Sequence, residues 1–118
     1  MTPIDCIEIQ DLVRSGKPVL CIDVRETFRH ATMDAGGWKI PYNEVNRHTA
    51  RLRPFVDSVV VICCLRPKGS KRAEIAALAL RKMGFTNVRE LKNGLYSGWI
   101  QKVGRNVKLP APAQTAVT

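Results

Sequence analysis

With 118 residues, 45% of them hydrophobic and 25% charged, the chain has the size and balance of one globular domain that builds a core without disulfide staples. A formal charge of +9, from 19 Lys and Arg against 10 Asp and Glu, favours anionic partners. The cations are scattered and aromatics make up only 6%, which argues against a nucleic-acid platform and leaves steering of a small anion or plain solubility.

No apolar run approaches the ~20 residues of a membrane span, and the first residues lack a signal-peptide pattern, so no membrane and a cytoplasmic, reduced setting are expected. Cys6, Cys21, Cys63 and Cys64 form no CxxC pair, and His30 and His48 stand at no metal-site spacing from them. A structural metal is therefore not expected, nor is a secreted disulfide framework.

In chain order, Ile4 opens a short strand and Asp5 is placed to cap a helix, with Glu8 three residues on as in a capping box and Ile4 and Ile9 as a hydrophobic staple. Ile9, Leu12 and Val13 form that helix's inward face, and Gly16 with Pro18 ends it. Residues 19–24 are nearly all apolar, the mark of a strand buried on both faces of a parallel sheet. Asp23 within it needs a partner, most simply a local structural one. One helical turn is predicted over 26–31 and a loop over 34–37. Trp38 to Pro41 reads as an edge strand, because Pro41 cannot continue a central one. Asn43 is placed to cap a helix over 44–52.

Residues 59–64 form the most apolar, β-branched run in the chain, and it ends in a thiol. A turn with Pro67, Gly69 and Ser70 and the cations Arg66, Lys68, Lys71 and Arg72 follows, and then a helix over 73–83 closed by Gly84. Strand, loop and helix make half of a βαβ unit, whose ligands bind at the carboxyl ends of the strands. A helix start favours anions and thiolates there. Residues 87–91 give a fifth strand, Lys92, Asn93 and Gly94 a turn, and Leu95, Trp99, Ile100 and Val103 a helix face. Five strands alternating with helices predict an α/β fold, a five-stranded mostly parallel sheet with helices on both faces. The domain is expected over 1–104, with 105–118 a loose, Pro-containing tail.

In this order and spacing, four segments resemble the rhodanese-like sulfurtransferase domains. They are VLCIDVRE (19–26), GGWKIPYNEV (36–45), VVVICC (59–64) and AEIAALALRKMGFTNVRELKNGLYSGW (73–99). The resemblance covers nearly the whole chain. It implies sulfur transfer through a persulfide on a cysteine that follows the fourth strand, here Cys64, with no cofactor. The partners it implies are a small anionic sulfur donor or a persulfide-bearing protein, and a thiol or cyanide acceptor.

Cys63, one residue earlier, belongs to the opposite face of the strand and is expected to be buried. The candidate substrate-binding residues are Arg66, Lys68, Gly69, Ser70, Lys71 and Arg72 in the loop and helix start, with Arg25 at the rim. The loop departs from the usual Cys-x-x-Gly-x-Arg-Ser-Ala, being two residues longer from Cys64 to Ala73, and Asn93 stands where a closing Gly-Gly pair would begin. Two other readings are a non-catalytic binding or sulfur-carrier module and a phosphatase- or arsenate-reductase-like enzyme. The last needs Cys-x5-Arg, but Ser70 and Gly69 stand six residues after Cys64 and Cys63.

Overall fold

A computed structural model describes residues 1–30, 33–65 and 71–112. Five strands, β1 (Thr2–Ile4), β2 (Val19–Asp23), β3 (Trp38–Lys39), β4 (Val59–Cys63) and β5 (Val88–Leu91), form one sheet in the order β1-β5-β4-β2-β3. Every pairing is parallel, so "mostly parallel" becomes wholly parallel among the described residues. The α/β architecture expected from the alternating pattern is thus present.

The most apolar strand takes the centre. β4 lies between β2 and β5, with Cys21 level with Val61 and Asp23 level with Cys63. All five residues of β2 are buried, because helices cover both faces of the sheet. One face packs Leu20, Ile22, Val60, Ile62 and Cys64 against α4 (Lys71–Lys82) and the turns around α3 (Thr49–Leu52). The other packs Cys21, Val61 and Cys63 against α1 (Cys6–Arg14) and the helical segment at Leu95, Trp99 and Ile100. Burying these side chains contributes about 1.5–3 kcal/mol for each large one.

Helix α1 starts as its sequence dictates, with the Asp5 side chain accepting from the Glu8 N–H at 2.8 Å. The Glu8 carboxylate does not complete a capping box but pairs with Arg89 on β5. Val13 turns outward, 46% exposed, which leaves the inward face to Cys6, Ile9 and the half-buried Leu12. The helix expected over 44–52 is broken: a 3-10 turn at Val45–His48 leads into α3, and neither carries a side-chain cap. Asn43 therefore does not cap it. Trp38 lies in the core edge to face with Phe55, and Arg51 stacks 4.3 Å from the Trp38 ring centre.

The expected loose tail is corrected over residues 105–112. Leu109 is buried and donates its N–H to the Ala35 carbonyl at 2.8 Å, while the Pro110 carbonyl accepts from the Cys21 N–H at 3.0 Å. The indole N–H groups of Trp99 and Trp38 donate to the Val107 and Pro112 carbonyls. Because β3 has only two residues, it leaves Cys21 of β2 without an edge partner, and this segment supplies one. Gly36 permits the approach, since a Cβ there would stand 2.6 Å from the Lys108 Cβ. Residues 113–118 lie outside the described residues.

Candidate active site

The carboxyl ends of β2 and β4 and the segment after β3 are tied together by main-chain bonds. Val24 donates to Cys63 at 3.0 Å, and Tyr42 donates to Val24 at 2.9 Å. The residues just past these ends, Glu26, Tyr42 and Cys64, therefore gather on one rim. Strand alternation then separates the two adjacent thiols, sending Cys63 to the α1 face and Cys64 to the α4 face.

Cys63 is fully buried, as expected. Burial pushes its thiol well above the ordinary range, and a hydrogen bond with Cys21 and the charge of Asp23 push the same way. A thiol held protonated in this way is inert. Cys64 is 8% exposed, just past the carboxyl end of β4.

Its backbone is fixed from the far side by the turn after β5. Leu95 donates to the Cys64 carbonyl at 2.9 Å, and Gly94, at φ +74°, lets the Leu65 carbonyl pass where a Cβ would come within 2.3 Å of its oxygen. The lone glycine retained from the expected closing pair is thus the one that the approach requires; Asn93 before it also adopts positive φ, at 66°.

Arg72 leaves the first turn of α4 and reaches back over the rim. Its Nε donates to Glu26 Oε1 at 2.7 Å, its Nη2 makes an ion pair with the same oxygen at 2.6 Å, and its guanidinium lies 5.7 Å from the Tyr42 ring centre. The hydrogen bond to Glu26 raises the Arg72 guanidinium further above its usual range, and Cys64 and Tyr42 add smaller contributions in the same direction. Glu26 is held below the usual carboxylate range, first by a backbone hydrogen bond and then by Arg72. The start of α4 also presents the positive end of a helix of 12 residues.

Of the expected substrate-binding residues, Arg72 is beside Cys64, and Lys71 begins the same helix with its side chain exposed. Arg66, Lys68, Gly69 and Ser70 lie outside the described residues. Arg25 is corrected. Its side chain is 3% exposed, donates from Nη2 to Asp23 Oδ2 at 2.7 Å and from Nε to Asp23 Oδ1 at 3.0 Å, and also donates to the Met33 carbonyl. An acid buried in β2 has captured the nearest guanidinium, which gives Asp23 the local structural partner that its position demanded. Glu26 and Tyr42 were not singled out in the sequence, although each stands three residues past a strand end in the segments 19–26 and 36–45, and that is the available signal. Among the described residues no group of three or more His, Cys, Asp or Glu is placed to hold a metal ion. No helix there is long and apolar enough to cross a membrane.

A wholly parallel five-stranded sheet with a cysteine directly after its central strand is the rhodanese-like fold. Solved structures of single-domain sulfurtransferases and of a rhodanese-like domain share this fold. The human single-domain sulfurtransferase TSTD1 aligns at 23% identity and a TM-score of 0.64, over 86% of this chain and 97% of its own. The single-domain sulfurtransferase RDL2 of Saccharomyces cerevisiae aligns at 21% and 0.63, over 91% of this chain and 94% of its own. The rhodanese-like domain of an Anabaena protein aligns at 21% and 0.66, over 98% of this chain and 87% of its own. No protein-family model and no curated protein sequence matches the chain.

Proposed function

We propose that the chain is a sulfurtransferase that carries sulfane sulfur as a persulfide on Cys64, from an anionic donor (thiosulfate, polysulfide, or a small-molecule or protein persulfide) to a thiol or cyanide acceptor. The observation that carries this reading is the contrast between the two adjacent thiols. Cys64 alone of the pair stands at the carboxyl edge of the sheet, next to a guanidinium and a helix start.

In the proposed reaction the Cys64 thiolate attacks the outer sulfur of the donor. A new S–S bond forms on Cys64, and the old bond breaks with its electron pair leaving on the donor remnant, which is sulfite from thiosulfate or a thiolate from a persulfide. An acceptor thiolate then attacks the outer sulfur, takes it as a new persulfide and returns Cys64 as thiolate. Both steps pass through anionic sulfur, so cations and a helix start lower the barriers as an oxyanion hole does. Arg72 and Lys71 are assigned to that task, together with Arg66, Lys68, the Ser70 hydroxyl and the backbone at Gly69. Donors of this kind and a thiol acceptor are the partners proposed, and thiosulfate is one candidate among them.

The test is intact mass after incubation with thiosulfate or polysulfide. A gain of one sulfur atom, ~32 Da, that is absent in Cys64→Ser and removed by a thiol supports the reading. No gain from any donor class would defeat it and leave a binding module. Turnover of a phosphate ester without sulfur loading would instead favour oxyanion chemistry.

A further inference from the structure

Glu26 lies two residues past Val24, whose N–H is bonded to the Cys63 carbonyl, so the Glu26 carboxylate and the Cys64 thiol leave neighbouring strand ends on one rim. Arg72 interacts with both, but its Nε hydrogen bond at 2.7 Å and its Nη2 ion pair at 2.6 Å both go to Glu26 Oε1. Arg29 brings a second cation to 3.4 Å from Oε2. The carboxylate is held below its usual range, so it is ionised throughout the neutral region. A guanidinium engaged this way offers an incoming anion fewer donors and a compensated charge.

We infer that Glu26 is a specificity-determining residue at the Cys64 site: by occupying Arg72 and placing a negative charge on the rim, it selects against more highly charged donors such as thiosulfate and in favour of less charged persulfides. The inference rests on Cys64 being the reactive thiol of the proposed function, but its test needs no sulfur donor.

The test uses two alkylating reagents of similar shape, iodoacetate (an anion) and iodoacetamide (neutral). Each is attacked by the Cys64 thiolate with loss of iodide, and labelling is followed by the mass of the Cys64 peptide. The readout is the ratio of the two rate constants, which cancels changes in thiolate fraction or general access. Glu26→Gln is expected to raise the iodoacetate-to-iodoacetamide ratio roughly threefold to tenfold, the scale of one nearby surface charge. Glu26→Asp, which keeps the charge, is expected to hold the wild-type ratio. Arg72→Met, which removes the nearer of the two cations beside Glu26 and leaves Arg29 alone with it, is expected to lower it.

A ratio in Glu26→Gln within twofold of wild type overturns the inference, as does labelling of Cys64 by neither reagent in the wild-type protein. If both rates fall together at constant ratio, Glu26 is merely structural and the inference is equally overturned. A protein that shows the charge-dependent ratio yet never takes up sulfur would sink the sulfurtransferase reading while leaving charge selection by Glu26 standing.

Discussion

Cys63 and Cys64 are neighbours in the chain and opposites in environment. Cys63 lies level with Asp23 on the face covered by α1, fully buried, and its neighbours push it toward the protonated thiol. Cys64 turns to the α4 face, where it interacts electrostatically with the guanidinium of Arg72. One step along a strand exchanges a buried acid for a cation. The reactivity of a cysteine thus belongs to the face of the sheet it enters rather than to its place in the sequence.

The largest expected effect tests that contrast directly. Cys64→Ser should lower sulfur loading by about a thousandfold or more, whereas Cys63→Ser should keep it within about twofold while destabilising the fold by about 1–3 kcal/mol for the buried hydroxyl. Intact mass and denaturant unfolding measure the two. Loading lost equally in both variants would erase the distinction.

Next in size is the acid on the Cys63 side. Arg25→Met leaves Asp23 buried without its guanidinium, and unfolding should show a loss of about 3–5 kcal/mol. A loss under 1 kcal/mol would mean that Arg25 is available to substrate after all.

Gly94→Ala addresses the backbone beneath Cys64. Its Cβ would fall 2.3 Å from the Leu65 carbonyl oxygen at a φ of +74°, so a loss of about 2–4 kcal/mol and a drop in Cys64 alkylation by iodoacetamide are expected. Unchanged alkylation would show that the Cys64 position does not depend on that approach.

The smallest effect concerns Glu90, level with Ile62 on the side of the sheet that Cys64 faces. Burial raises its carboxyl above the usual range, with Glu74 adding to it and the N-terminal amine opposing. A carboxyl with a raised folded-state pKa costs stability above that pKa, and the cost vanishes below the unfolded value. Glu90→Gln should therefore raise the Tm at pH 7 by roughly 1–2 °C, with the gain gone below about pH 4. A gain that persists in acid would point to packing rather than charge.

Much of the fold is written locally. Strand periodicity, the Asp5 cap, the glycine stops and the alternation that parts Cys63 from Cys64 each depend on a few neighbouring residues and were legible, whereas the inward face expected for α1 wrongly took in Val13. The break in the segment 44–52 was not, because the turn from edge strand to central strand is set by packing of Leu52 and Val45 rather than by propensity. Nor were the long-range partners of the charged residues. Glu8 reaches Arg89 across 81 positions, and Arg72 reaches Glu26 across 46.

The sequence by itself determined where the strands lie, that the sheet is mostly parallel and which cysteine follows its central strand, because hydrophobic period and strand alternation are properties of consecutive residues. Only the tertiary structure decided that Arg72 belongs to Glu26 and that residues 105–112 close the sheet edge at Cys21. Those pairings follow from strand order and the length of β3, which bring together groups that nothing in their own neighbourhoods could have matched.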